Sequence, residues 1–104
     1  MGKKAIVKLL KRYKEDVAKE IPISRMLLFG SYAEGNPNRD SDIDLIIVSP
    51  SFRRMNFFKR GATMYGYWHL NYPVDFLCYT PEEFEKLTSE VTIVREAVRE
   101  GIEI

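Results

Sequence analysis

Two short apolar runs, each bounded by residues of an unusual kind, restrict the fold of this chain more than any other feature. The run Met26–Phe29 stops at Gly30-Ser31, and after ten further residues Asp42 and Asp44 open the run Leu45–Val48. Met26–Phe29 is too short and too apolar to be anything but a buried strand. Leu45–Val48, apolar without alternation, reads as a strand covered on both faces. Side chains alternate along a strand, so Asp42 and Asp44 share a face at about 6.6 Å of rise, and rotamer choice can bring both carboxylates onto one cation. At the other loop end, Gly30 permits a turn that a Cβ would resist. Ser31 with Glu34 three residues later has the form of a capping box. A short helix is therefore expected from Ser31, its free N–H groups facing any anion above the strand ends.

A third carboxylate belongs to the same pattern. After the turn Asn71-Tyr72-Pro73, Val74–Tyr79 reads as a strand with Asp75, Leu77 and Tyr79 on one face. An unpaired carboxylate inside such a strand costs several kcal/mol when buried, so Asp75 must meet a cation, a donor or water. If this strand lies beside the second with Asp75 on the face of Asp42 and Asp44, three carboxylates converge. Two charges ~6 Å apart then repel by roughly 3 kcal/mol at an effective dielectric of 20, which favours a divalent cation. Oxygen-only ligands point to Mg²⁺, with Mn²⁺ as a substitute, and two ions would suit an in-line displacement at phosphorus. The implied substrate is a nucleoside triphosphate.

The remainder of the chain supplies the scaffold. Ile6, Leu9, Leu10, Tyr13, Val17 and Ile21 recur at helical spacing between Lys3 and Glu20, and Pro22 ends that helix. Phe57, Phe58, Gly61, Ala62, Tyr65 and Trp68 mark a further helix, with Arg53, Arg54, Lys59 and Arg60 as its wet side or, alternatively, as reach toward a triphosphate. Thr80-Pro81-Glu82-Glu83 is an N-cap, an N1 proline and a capping box. A last helix with Ile93, Val94, Ala97 and Val98 inward stops at Gly101, leaving Ile102–Ile104 as an edge strand.

At 104 residues the chain makes one domain, residues 1–104, with one modest core. Its formal net charge of +1 carries no nucleic-acid footprint. The charge is nevertheless split: Met1–Glu20 holds seven Lys/Arg against three acids and Phe76–Ile104 three against seven, so complementary ends offer a route to self-association. Cys78 is the sole cysteine, excluding an internal disulfide and reading as a small buried hydrophobe. Lysines interrupt every N-terminal apolar stretch and no segment nears ~20 apolar residues, so a cytoplasmic protein without membrane contact is expected.

Rival motifs fail at identifiable positions. Asp40, Asp42 and Asp44 alternate like the start of a calcium loop, but Leu45 stands where glycine is needed and Ser51 where the twelfth-position Glu is needed. Neither Walker A nor G-x-G-x-x-G spacing is present. Taken together, Gly30-Ser31, ten residues, Asp42-Ile43-Asp44 and the later Asp75 resemble the G-S-x10-D-x-D…D pattern of DNA polymerase β-like nucleotidyltransferases. The short length resembles the minimal nucleotidyltransferases of bacteria and archaea. That resemblance implies an α+β palm-like fold, a small mixed sheet flanked by helices. It also implies that Asp42, Asp44 and Asp75 hold catalytic metal, that Asp75 assists deprotonation of the acceptor, and that Gly30 and Ser31 hold the triphosphate. Relatives of this kind serve as antitoxins beside a HEPN-domain toxin, transferring AMP from ATP to a toxin tyrosine. One departure stands out: in Gly-Ser-Tyr-Ala-Glu-Gly, Glu34 occupies a position frequently basic in the family, which removes one phosphate contact. The alternatives are a non-catalytic module that neutralises its partner by occlusion, and nucleotide transfer to a small molecule or an RNA end.

Overall fold

A computed structural model describes residues 2–38, 41–90 and 92–104, so Asp40 of the calcium-loop comparison lies outside the described residues. In chain order the elements are α1 (Lys3–Ala18), β1 (Arg25–Phe29), α2 (Ser31–Glu34), β2 (Ile43–Val48), a 3-10 turn (Pro50–Arg54), α3 (Phe57–Tyr65), β3 (Val74–Tyr79), α4 (Pro81–Thr88), α5 (Ile93–Glu100) and β4 (Ile102–Glu103). The strands form one mixed sheet in the order β3-β2-β1-β4. β1 runs antiparallel to both β2 and β4, while β2 and β3 are parallel, joined by the crossover that contains α3. This is the expected α+β architecture.

β2 is the reason the sheet needs helices on both sides. Ile43, Leu45 and Ile47 face one core with Met26, Leu28 and the α1 residues Ile6, Leu10, Tyr13 and Val17. Ile46 and Val48 face the other, with Leu27, Phe84, Val94 and Ala97. α1 buries its stripe at the spacing the sequence sets, and its Tyr13 hydroxyl donates to the Met64 carbonyl of α3 at 2.8 Å. Lys14 is not simply a solvated charge: its Nζ donates to the Ile104 carbonyl at 2.8 Å, fastening the C-terminal edge to α1.

α3 forms, but not with the face its pattern suggests. Met64 is its buried residue, whereas Phe57, Phe58 and Tyr65 are 63%, 85% and 53% exposed. The helix starts at Asn56, whose side chain accepts from the Lys59 N–H, and the tertiary docking of Met64 under Tyr13 decides which side turns inward. Arg60 also departs from the expected wet side. It lies over the Phe52 ring, donates to the carbonyls of Phe52, Met55 and Cys78, and pairs with Glu83. Arg53 pairs with Glu82. Both pairs lie toward the Tyr79 end of β3, the far end from Asp75, so neither arginine is free to meet a phosphate beside the carboxylates. The capping box at Thr80 and Glu83 forms as expected, with both reciprocal bonds in place. α5 stops at Gly101 and buries Val94 and Ala97, but Ile93 is turned out to solvent.

Candidate active site

The C-terminal end of β1 and the N-terminal ends of β2 and β3 meet at one edge of the sheet. Asp44 opposes Phe29 across the antiparallel pair and is the register partner of Asp75 across the parallel pair. Neighbouring strands lie about 4.8 Å apart, and partners in parallel register project to the same face. That face is the one carrying Ile46, Val48, Leu77 and Tyr79, covered further along by α4 and α5. Asp44 and Asp75 occupy its open end, Asp44 half-buried and Asp75 exposed. Exposure answers the question Asp75 posed in the sequence, since water reaches it. Asp42 lies one residue ahead of β2 and is exposed.

Electrostatics tie the three together. Burial first, then the charge of Asp75, then that of Asp42 push the Asp44 carboxyl above the ordinary aspartate range. Two neighbouring carboxylates resist the ionisation of a third unless a cation offsets them. Among the described residues no three His, Cys, Asp or Glu side chains are already drawn in around a single point at which an ion could sit. The carboxylates share an edge rather than forming a closed cage, and turning them inward against their repulsion needs compensating charge. As a donor set they suit a hard divalent cation, which takes oxygen ligands from a few carboxylates and from substrate phosphate.

Gly30 is held at this edge for two physical reasons. Its φ of 73° and ψ of −155° fall where only glycine is comfortable, and a Cβ built on it would land on the Asp44 carboxylate. The close approach of Gly30 backbone to Asp44 is thus a structural fact of the site. The helix begins at Ser31 as expected, but the capping box does not form. Gly30, not Ser31, is the N-cap, no side chain caps the turn, and the Gly30 carbonyl accepts from the Ala33 and Glu34 N–H groups. Ser31 sits one residue inside, so Glu34 is no longer three residues from the cap. At four residues α2 adds little macrodipole, and its first-turn N–H groups are what remain for an anion.

One neighbour of the site was not readable beforehand. A cleft of about 170 Å³ runs between α2 and α5, touching Gly30 and flanked by Phe29, Glu34, Glu96 and Glu100. Sites for whole small ligands are commonly 300–1,000 Å³, so this cleft is too small to enclose one. No local motif signals the cleft, because α5 arrives some sixty residues after α2. Cys78 is buried and its thiol is pushed up to about 12 by burial, which removes it as a nucleophile.

The model of the nucleotidyltransferase domain family matches residues 10–103, nearly the whole chain and every element of the edge just described. The chain belongs to the nucleotidyltransferase domain family. This nucleotidyltransferase is 24% identical over 101 residues to a Methanocaldococcus jannaschii protein provisionally named a protein adenylyltransferase, with 95% of this chain and 98% of that one aligned. A crystal structure of a provisionally assigned nucleotidyltransferase from Sulfolobus solfataricus superposes with a TM-score of 0.67 at 25% identity, covering 97% of this chain and 80% of that one. BolA1 from Arabidopsis thaliana shares the arrangement of elements over 70% of this chain and 92% of its own, with a TM-score of 0.53 and 22% identity, a likeness of fold alone. The family match makes the chain a transferase domain of the nucleotidyl class, for which a nucleoside triphosphate is the expected donor. Among the described residues no helix is long and apolar enough to cross a membrane.

Proposed function

We propose that this nucleotidyltransferase moves AMP from ATP to a protein hydroxyl, a tyrosine of a HEPN-domain toxin, and so acts as an antitoxin. The observation that carries the reading is the register pairing of Asp44 with Asp75, with Asp42 alongside and Gly30 packed on the Asp44 carboxylate. In this reading Asp42, Asp44 and Asp75 hold Mg²⁺, as one or two ions with Mn²⁺ as substitute, while Gly30 and Ser31 seat the triphosphate. The bound cation supplies charge neutralisation at the reacting phosphate and the departing oxygen. Asp75, exposed where Asp44 is half-buried, accepts the proton of the acceptor hydroxyl. The acceptor oxygen bonds to the α-phosphorus, the bond from that phosphorus to the bridging oxygen breaks, and pyrophosphate leaves. The adenylyl donor and protein acceptor are favoured by the name of the M. jannaschii relative; the HEPN partner follows from the motif resemblance.

One observation favours a second reading, occlusion of the partner without catalysis. Glu34 is exposed, forms no capping box, and adds negative charge to the cleft beside Gly30, where a triphosphate gains nothing from it. The two readings separate in one experiment. Purified protein is incubated with a HEPN partner, Mg²⁺ and labelled ATP, beside the Asp44→Asn variant. Label on the partner that disappears with Asp44→Asn supports transfer. A partner that is bound and neutralised equally by both proteins without label overturns it in favour of occlusion.

A further inference from the structure

α3 carries an apolar face that none of the described residues covers. Phe57 and Phe58 stand edge to face at its start, Tyr65 stands at its end, and Gly61 and Ala62 lie between them over a groove of about 340 Å³ floored by Phe76. At roughly 200 Å² per aromatic side chain, the three exposed rings leave about 400 Å² in water. Doubled across a two-fold axis that is about 800 Å², the scale of a weak, reversible interface rather than a permanent one. Gly61 provides an independent indication. It sits inside a helix, where glycine is the weakest former after proline, yet a Cβ built on it would meet nothing within 4 Å. Nothing within the monomer therefore requires a glycine at this position; close approach from outside would.

We propose that this face is where a second copy of the chain docks, through antiparallel packing of α3 on its symmetry mate. The order of residues is self-complementary. With the two-fold axis between Gly61 and Ala62, the small residues of the two helices oppose each other and let the backbones approach. Phe58 of each copy then meets Tyr65 of the other. The charges do not oppose the pairing: Lys59 falls outside the stripe of Phe58, Gly61, Ala62 and Tyr65, Arg60 is engaged with Glu83, and a net charge of +1 leaves little overall repulsion. Phe57 also lines a groove with Glu83, Lys86 and Leu87 of α4, and the Tyr65 hydroxyl donates to the Val74 carbonyl, so the second copy would lie over the β3 edge of the sheet. Complementary charged ends, the route to self-association suggested by the sequence, are not required.

The test is the mass of the full chain in solution across a micromolar concentration series, by sedimentation velocity or light scattering. Wild type is expected near twice its 12.2 kDa, Phe58→Lys at 12.2 kDa, and Gly61→Ala with at least a tenfold weaker dimer despite a higher unfolding temperature. Both substitutions sit where the monomer has open space, so circular dichroism should be unchanged. A wild type that is monomeric throughout overturns the proposal and leaves the face to a different protein. A dimer that survives Phe58→Lys overturns it as well, by placing the interface elsewhere.

Discussion

Gly30 and Asp44 form a pair in which each restricts what the other can be. Replacing Gly30 with alanine forces a side chain into a backbone conformation reserved for glycine, on the order of 1–3 kcal/mol, and pushes it onto the Asp44 carboxylate. Gly30→Ala should therefore lower the unfolding temperature by several degrees, whereas Gly30→Ala combined with Asp44→Ala should recover part of the loss; thermal denaturation of the single and double variants measures both. Asp44 makes a second prediction with a definite sign. Its carboxyl titrates above the ordinary aspartate value of 3.8, so the folded chain binds the proton more tightly than the unfolded chain. The stability tied to that proton is complete below this value and is lost as pH rises through the raised one. In metal-free buffer Asp44→Asn should remove that decline and stabilise the protein near neutral pH by about 1 kcal/mol after solvent screening. A wild type that is more stable than Asp44→Asn at pH 7 in chelator would refute the repulsion argument.

Among the elements, the far end of β3 depends on a single side chain. Arg60 satisfies carbonyls on the 3-10 turn, the segment before α3 and β3, and holds Glu83 below the usual carboxylate range while Glu83 also caps α4. Arg60→Ala should cost about 2–3 kcal/mol in urea denaturation, and Arg60→Lys should recover little, since an ammonium cannot span that fork. The sequence made β2, β3, α4 and the short β4 legible because their signals are local: an unbroken apolar run, an N-cap with proline, a glycine stop. It misdirected the reading of α3 and of the Ser31 turn for the opposite reason. Which face of α3 turns inward is set by Met64 meeting Tyr13, fifty-one residues away. The cap moved from Ser31 to Gly30 because the approach of Asp44 fixes the backbone there. The carboxylate edge itself was legible, since alternation put Asp75 on one face of its strand and the spacing brought Asp44 to the matching strand end; the α2–α5 cleft was not.

For the molecule as a whole, substrate binding and stability should be linked through the same edge. With Mg²⁺ and ATP at about a hundred times their dissociation constant, wild type should gain roughly 2.7 kcal/mol, which is on the order of ten degrees or more for a domain of this size. Asp44→Asn should gain nothing from the mixture; an equal shift in both proteins, read by differential scanning calorimetry, would place the nucleotide elsewhere. The parallel pairing of β2 and β3 adds a matter of timing. Asp44 and Asp75 become neighbours only after the long crossover between them has closed, the slowest kind of contact for a chain to make. By this order of closure the first and second strands should pair before the third carboxylate joins them. Competence for chemistry should therefore arrive late and all at once during refolding, after most of the helical signal has already returned.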